Sequence, residues 1–259
     1  MHGQQEQSQN EAIEALQRQV NELTEANALL KEQLARKEQF TAMIAHELRS
    51  PLTPIINYAQ IVARPNQSRE TIVRGTNIVM SQAWRLSRLV SDLLDASRLS
   101  SGQFTLSCSP CDAVKLVKES VEQLRPVAPY HQLVIEAPDT PMIGIWDYGR
   151  LQQALGNLLD NAIKYSLEET TIIVRAWQTP GKAHISVYNE GEGIPLADID
   201  QLFRPYSRLA GTSGNQKGSG LGLYITKSIV EAHGGELHLE RPTEEKRGTT
   251  FSFDLPITG

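Results

Sequence analysis

From Ile13 to Leu34 the chain repeats apolar residues at alternating steps of four and three: Leu16, Val20, Leu23, Leu30 and Leu34 follow Ile13, and Asn27 falls in the same register. A strand cannot hold this pattern, because its side chains alternate with period two, whereas a heptad keeps one narrow seam along a helix. The flanks of that seam are charged and amide-rich, which argues against burial in a globular core. The spacing therefore predicts a coiled coil over residues 11–39. Val20 at an a position with Leu16, Leu23 and Leu30 at d favours a parallel dimer, and Asn27 at a fixes register and two-strand state at some cost in stability.

Carried forward, the register puts Ile44 at d and Leu48 at a, so His46 falls at f and points into solvent. Glu47 is its neighbour, and Ser50, four residues on, shares its exposed face. Pro51 and Pro54 each remove a backbone donor, predicting a bend just after the histidine. Residues 64–68 (Arg-Pro-Asn-Gln-Ser) carry turn chemistry, and a second helix is expected from Arg69. Its stripe, Ile72, Thr76, Val79, Ala83, Leu86, Val90 and Leu93, makes it an antiparallel partner of the first helix. Two such hairpins in a dimer form a four-helix bundle. Ser100-Ser101-Gly102 ends the second helix and serves as a hinge.

From Gln103 the pattern changes to short strands alternating with helices. Strands are expected near residues 104–107, 133–137, 143–146, 171–178, 183–188, 236–240 and 249–254, and helices near 112–127, 148–165 and 220–233. The strands at 171–188 form a hairpin about Thr179-Pro180-Gly181. This predicts an α+β sandwich with helices on one face of a mixed sheet, and not a doubly wound nucleotide fold. Neither a Walker A sequence nor the motif set of the protein kinases is present.

The net charge of −5 and pI near 5.7 give no basic footprint for nucleic acid. The chain lacks both a signal peptide and an apolar run of the roughly eighteen residues that a membrane helix needs, so it is expected to be soluble and cytoplasmic, with room for a sensor domain or membrane segment upstream. Cys108 and Cys111, the only cysteines, form a single CxxC that is short of the ligands for a structural zinc site. Cys111 precedes an expected helix start, where the dipole would lower its thiol pKa.

In the expected helix over 148–165, spacings of four and three put Asn157, Asn161 and Lys164 on one face. Neutral amide oxygens can hold a magnesium ion that keeps several waters and binds mainly through phosphates, while a lysine adds a point charge. After the hairpin comes Asn189-Glu190-Gly191-Glu192-Gly193, whose glycines let backbone approach a flat ligand. Residues 209–219 are rich in Gly, Ser, Thr and Asn and suit a mobile lid. Gly218-Ser219-Gly220-Leu221-Gly222 opens the last helix, whose N-terminal amides favour anions. Gly234-Gly235 ends that helix, and His233 beside it is expected to make a structural contact with the last carbonyls.

The segment His46-Glu47-Leu48-Arg49-Ser50-Pro51-Leu52 resembles the H box of the sensor histidine kinases of two-component signalling, and the resemblance extends from Phe40 to the end. It implies that His46 accepts the γ-phosphoryl group of ATP, that Glu47 hydrogen-bonds the other ring nitrogen and activates the imidazole, and that Ser50 assists removal of phosphate from the regulator. Residues 157–166 resemble the N box, implying Asn161 as the magnesium ligand assisted by Asn157, with Lys164 and Tyr165 on the phosphates or sugar. Asn189, Gly191 and Gly193 match the first glycine box, where the family usually has an aspartate that accepts from the adenine amine; an amide accepts the same bond more weakly. Leu202 to Arg208, with Phe203, resembles the F box, with Arg208 and Lys217 expected on the β- and γ-phosphates. Gly218, Gly220, Leu221 and Gly222 match the second glycine box. The implied arrangement is a homodimer with a coiled coil at 1–39, a dimerisation and phosphotransfer domain at 40–102 and a GHKL-type catalytic domain at 103–259. It would use ATP and Mg²⁺ and pass phosphate to a response-regulator receiver domain. Two other readings share these residues: a related ATPase without histidine phosphorylation, and a dimeric scaffold with a degenerate ATP site.

Overall fold

In a computed structural model of the protein, which describes residues 2–191, 193–194, 199–203, 205, 220–240 and 248–257, the chain begins as a single helix, α1 (His2–Val62). The helix does not end at Pro51 or Pro54. Each proline forfeits one backbone bond, and the Thr53 hydroxyl donates to the Arg49 carbonyl at 3.2 Å between them. Leu16, Val20, Leu23, Leu30 and Leu34 are all more than half exposed in the single chain. Burying each against a partner would be worth about 1.5–3 kcal/mol. None of the described helices is long and apolar enough to cross a membrane.

Helix α2 (Arg69–Ser100) starts at Ser68, whose side chain caps it by accepting from the Thr71 N–H at 3.1 Å. It returns along α1, with Gly75 so close to Tyr58 and Val62 that an added Cβ would lie 2.6 Å from Val62 Cγ2. The expected apolar stripe is only partly inward. Val79, Leu86 and Leu93 are half-buried, whereas Ile72 and Val90 stay exposed. The last turns of α2 instead bury Asp92, Asp95 and Ala96, because they pack on the second half of the chain.

The strand expected at 104–107 does not form. Phe104 instead lies under the Arg150 guanidinium, 5.0 Å from its ring centroid, and the Ser107 N–H donates to Asp147 Oδ2 at 2.8 Å. The strand comes later, as β1 (Ser109–Asp112), antiparallel to β3 (Ile143–Trp146) with Ser109 opposite Trp146. Helix α3 (Ala113–Leu124) is capped by Asp112, whose Oδ1 accepts from the N–H groups of both Val114 and Met142 at 2.9 Å. It gives way to a 3₁₀ turn at Arg125–Val127, shorter than the expected helix because Pro126 supplies no N–H.

The remaining elements are β2 (Gln132–Glu136), α4 (Tyr148–Tyr165), β4 (Thr171–Thr179), β5 (Lys182–Asn189), the short α5 (Ile199–Leu202), α6 (Gly222–Ala232), β6 (Glu236–Glu240) and β7 (Thr249–Pro256). Strands β2, β4, β5, β7 and β6 form, in that order, a mixed sheet in which only β2 and β4 are parallel. The inward residues Ile172, Val174, Ala176, Ile185 and Phe253 meet the apolar faces of α3, α4 and α6. Trp146 closes this core, its indole N–H donating to the Pro256 carbonyl at 3.0 Å. A helical hairpin followed by an α+β sandwich is the predicted fold class.

Candidate functional site

His46 is exposed, as its helical phase requires, and Ser50 one turn on is half-buried. Glu47 is not a solvated surface charge. It is buried, with Oε2 3.7 Å from Arg85 Nη2 on α2. The salt bridge fixes Glu47 in the same turn as His46 while leaving the imidazole free to face outward.

One turn along α2, Arg88 reaches the other half of the chain. Its Nη2 donates to Asn157 Oδ1 at 2.8 Å, and its Nη1 pairs with Asp160. Asn157 is buried on α4, and its Nδ2 donates to the Gly222 carbonyl at 3.2 Å. The first residue of α6 is thereby pinned to α4, and the buried Thr226 hydroxyl adds a bond to the Ala154 carbonyl at 3.4 Å. Asn161 is half-buried one turn beyond Asn157, and Lys164 donates to the Tyr165 hydroxyl at 2.9 Å with its ammonium over the tyrosine ring. Asn157, Asn161 and Lys164 thus occupy one stretch of one helix beside the start of α6.

The far end of α4 is held against the loop after β5. The Leu167 N–H donates to the Glu190 carbonyl at 2.8 Å, and a Cβ on Gly191 would fall 2.5 Å from the Tyr165 carbonyl oxygen. Only glycine fits there. Asn189 is buried at the end of β5, between Ile172 and Thr249, and among the described residues its Nδ2 has no acceptor. A Cβ on Gly248 would lie 2.4 Å from the Asn189 carbonyl, so a second bare backbone crowds the same spot. An orphaned buried amide between two backbones that tolerate no side chain fits the edge of a flat ligand. The amide-only face of Asn157 and Asn161 fits a magnesium ion that keeps its waters. Gly193 has φ +81° and Gly220 φ +69°, and Leu221 is buried at the start of α6. Phe203 packs edge-on against Phe251 at 6.3 Å. Arg208, Lys217 and Gly218, and with them the expected lid, lie outside the described residues.

Sequence patterns missed the face between α2 and α4. Arg88, Asp92 and Asp95 sit at i, i+4 and i+7, which reads as an ordinary solvated stripe. Here they oppose Asn157 and Asp160, then Gln153, then Arg150, in antiparallel order. Arg150 Nη1 and Gln153 Nε2 both donate to Asp95 Oδ2, at 2.6 and 2.8 Å. Burial pushes the Asp92 carboxyl up to about 6, against the pull of the Arg88 charge and a hydrogen bond from Gln153. Cys111 also departs from expectation: burial raises its thiol pKa. Extended backbone at Ser109 and Pro110 holds Cys108 and Cys111 roughly 10 Å apart at Cα, too far for a disulfide.

His233 meets its expectation. It is buried, with Nδ1 2.7 Å from the Ile229 carbonyl in the last turn of α6.

Residues 36–102 match the family model described as the His Kinase A (phospho-acceptor) domain, and residues 146–259 the one described as Histidine kinase-, DNA gyrase B-, and HSP90-like ATPase. The probable sensor histidine kinase TcrY of Mycobacterium tuberculosis is 33% identical over 222 residues, covering 85% of this chain and 46% of that protein. The sensor histidine kinase WalK of Bacillus subtilis is 29% identical over 225 residues, covering 85% and 36%. The chain thus spans less than half the length of either relative. Among solved structures, the mycobacterial sensor histidine kinase MprB is 31% identical with a TM-score of 0.52, covering 58% of this chain and 97% of that one. Full-length ShkA in complex with AMPPNP is 26% identical with a TM-score of 0.61, covering 85% and 46%.

Proposed function

This chain belongs to the sensor histidine kinase family, and from that premise we propose that it transfers the γ-phosphoryl group of ATP to His46 and passes it on to an aspartate of a response-regulator receiver domain. The observation that carries the reading is the exposed imidazole of His46 on the hairpin, in a chain whose α4 presents Asn157 and Asn161 beside the start of α6. A ring nitrogen of His46 attacks the γ-phosphorus, the N–P bond forms, and the bond to the departing ADP oxygen breaks. Glu47 takes up the proton of the other ring nitrogen once its side chain leaves Arg85 and turns toward the imidazole. Asn161 and Asn157 would hold Mg²⁺, which would supply charge neutralisation on the phosphates. Lys164 and Tyr165 contact the phosphates or sugar, Asn189 reads the base edge, and Gly191, Gly193, Gly220, Leu221 and Gly222 let backbone close on the nucleotide, with Phe203, Arg208, Lys217 and Gly218 completing the site. Ser50 serves removal of phosphate from the regulator.

The same reading divides the chain into a coiled-coil signalling helix at 1–39, the dimerisation and phosphotransfer hairpin at 40–102 and the catalytic domain at 103–259, acting as a homodimer in the cytoplasm, where ATP is supplied. Incubation with γ-labelled ATP and Mg²⁺ tests it. Acid-labile label appears on the wild-type chain and is lost in His46→Gln; label on another side chain, or undiminished label in the variant, overturns the reading.

A further inference from the structure

The α2–α4 face carries a relationship that phosphoryl transfer does not call for. Arg88 belongs to the phosphotransfer hairpin, yet its guanidinium occupies Asn157 Oδ1, one of the two amide oxygens read above as magnesium ligands, and it also neutralises Asp160 beside it. The rest of the face is a ladder of polar pairs, Asp92 with Gln153 and Asp95 with Arg150 and Gln153. Apolar packing is confined to its far end, where Ala96, Leu93 and Leu99 join the core near the hinge. A face anchored at the hinge and polar along its length opens from its Arg88 end first. There the ion pair is weak, because both side chains are nearly half exposed, Arg88 at 47% and Asp160 at 38%.

We propose that Arg88 and magnesium-bound nucleotide compete for Asn157, so that the hairpin docked on α4 and the loaded nucleotide site exclude one another. The inference rests on the assignment of Asn157 to the metal. A carbonyl-type oxygen can serve the guanidinium and the ion in turn, but the two cations repel and cannot share it. Arg88 acts here as a positioning residue: it sets which fraction of molecules can take up nucleotide, and the apparent affinity is reduced by that fraction. Signals that pull α2 away from α4 would raise it.

Calorimetry on the whole chain provides the test, with Mg·AMPPNP as the probe, comparing wild type, Arg88→Gln and, as a control on the same helix, Arg98→Gln. Arg88→Gln tightens Mg·AMPPNP binding about two- to fivefold, the range that a half-exposed charged contact supports. The gain shrinks when AMPPNP is offered with EDTA, because the shared atom is the metal's, and Arg98→Gln binds as wild type does. Deuterium uptake over residues 85–92 of the wild type rises on adding Mg·AMPPNP. An unchanged or weakened affinity in Arg88→Gln overturns the competition while leaving nucleotide binding intact. A wild-type chain that takes up no Mg·AMPPNP overturns both this inference and the reading beneath it.

Discussion

His233 Nε2 accepts the backbone N–H of Asp147 at 2.9 Å. A backbone amide can only donate, so the ring proton sits on Nδ1 and is given to the Ile229 carbonyl at 2.7 Å. One buried neutral imidazole thus ties the C-terminal end of α6 to Asp147, the residue that caps α4. The helices that carry Gly222 and Asn157 are consequently fixed at both ends, by this staple and by the Asn157 bond to the Gly222 carbonyl. His233→Phe keeps the ring but strands both backbone groups. The expected cost is about 2 kcal/mol, a fall in melting temperature of roughly 4–8 °C. A calorimetric scan that shows no fall removes the staple from the stability of this domain.

Asp92 makes a pH-dependent contribution whose sign follows from its position. Its carboxyl titrates at about 6 in the folded chain, against an ordinary value of 3.8, because burial disfavours the charge. The folded state therefore binds a proton that the unfolded state has already lost. The penalty is absent below about pH 4, grows as pH rises through the interval up to 6, and is complete above it. Asp92→Asn is expected to stabilise the chain at pH 7.5 by about 1–3 kcal/mol and to have little effect at pH 4. Denaturant titrations of both chains at the two pH values check this; a gain that persists unchanged at pH 4 contradicts it.

On the proposed reading Asn189 takes the place of the family's usual aspartate, and its Nδ2 is a buried donor without a described acceptor. If the residue reads the amine of adenine, a carboxylate should do so more strongly, since charge-assisted bonds are roughly twice as strong as neutral ones. Asn189→Asp is expected to tighten AMPPNP binding about three- to tenfold, measured by calorimetry. Equal or weaker binding would take this residue out of base recognition.

The exposed seam of α1 calls for a partner. Each Leu23 buried in a paired coil contributes about 1.5–3 kcal/mol, and a dimer contains two. Leu23→Lys should raise the dimer dissociation constant about a hundredfold or more. Sedimentation equilibrium of wild type and variant gives the comparison, and equal constants would place the dimer contact elsewhere.

Much of the chain could be read before it was folded, wherever the signal was local. Heptad spacing in residues 13–34 specified a helix, and its phase put His46 on the outside. The alternation of Thr171 to Tyr188 about Pro180-Gly181 specified a hairpin, and the amide spacing of Asn157 and Asn161 placed both on α4. Turn chemistry at residues 64–68 marked the start of α2 at Arg69, and the structure shows Ser68 capping it. Local signals also misled: Phe104 to Ser107 has strand-like composition, yet its side chain and backbone find better partners in Arg150 and Asp147.

What the linear chain determined by itself was periodicity and motif: which segments are helix or strand, which face each presents, and which residues are the candidates for phosphoryl transfer. Tertiary structure alone decided where the polar groups of α2 find partners. Arg88 and Asn157 are 69 positions apart, and Glu47 turns inward because Arg85 waits on another helix. The physical reason is range. Backbone periodicity acts over a few residues, whereas a buried charge is satisfied by whatever the fold brings within about 3 Å, and that distance is set by the packing of whole elements.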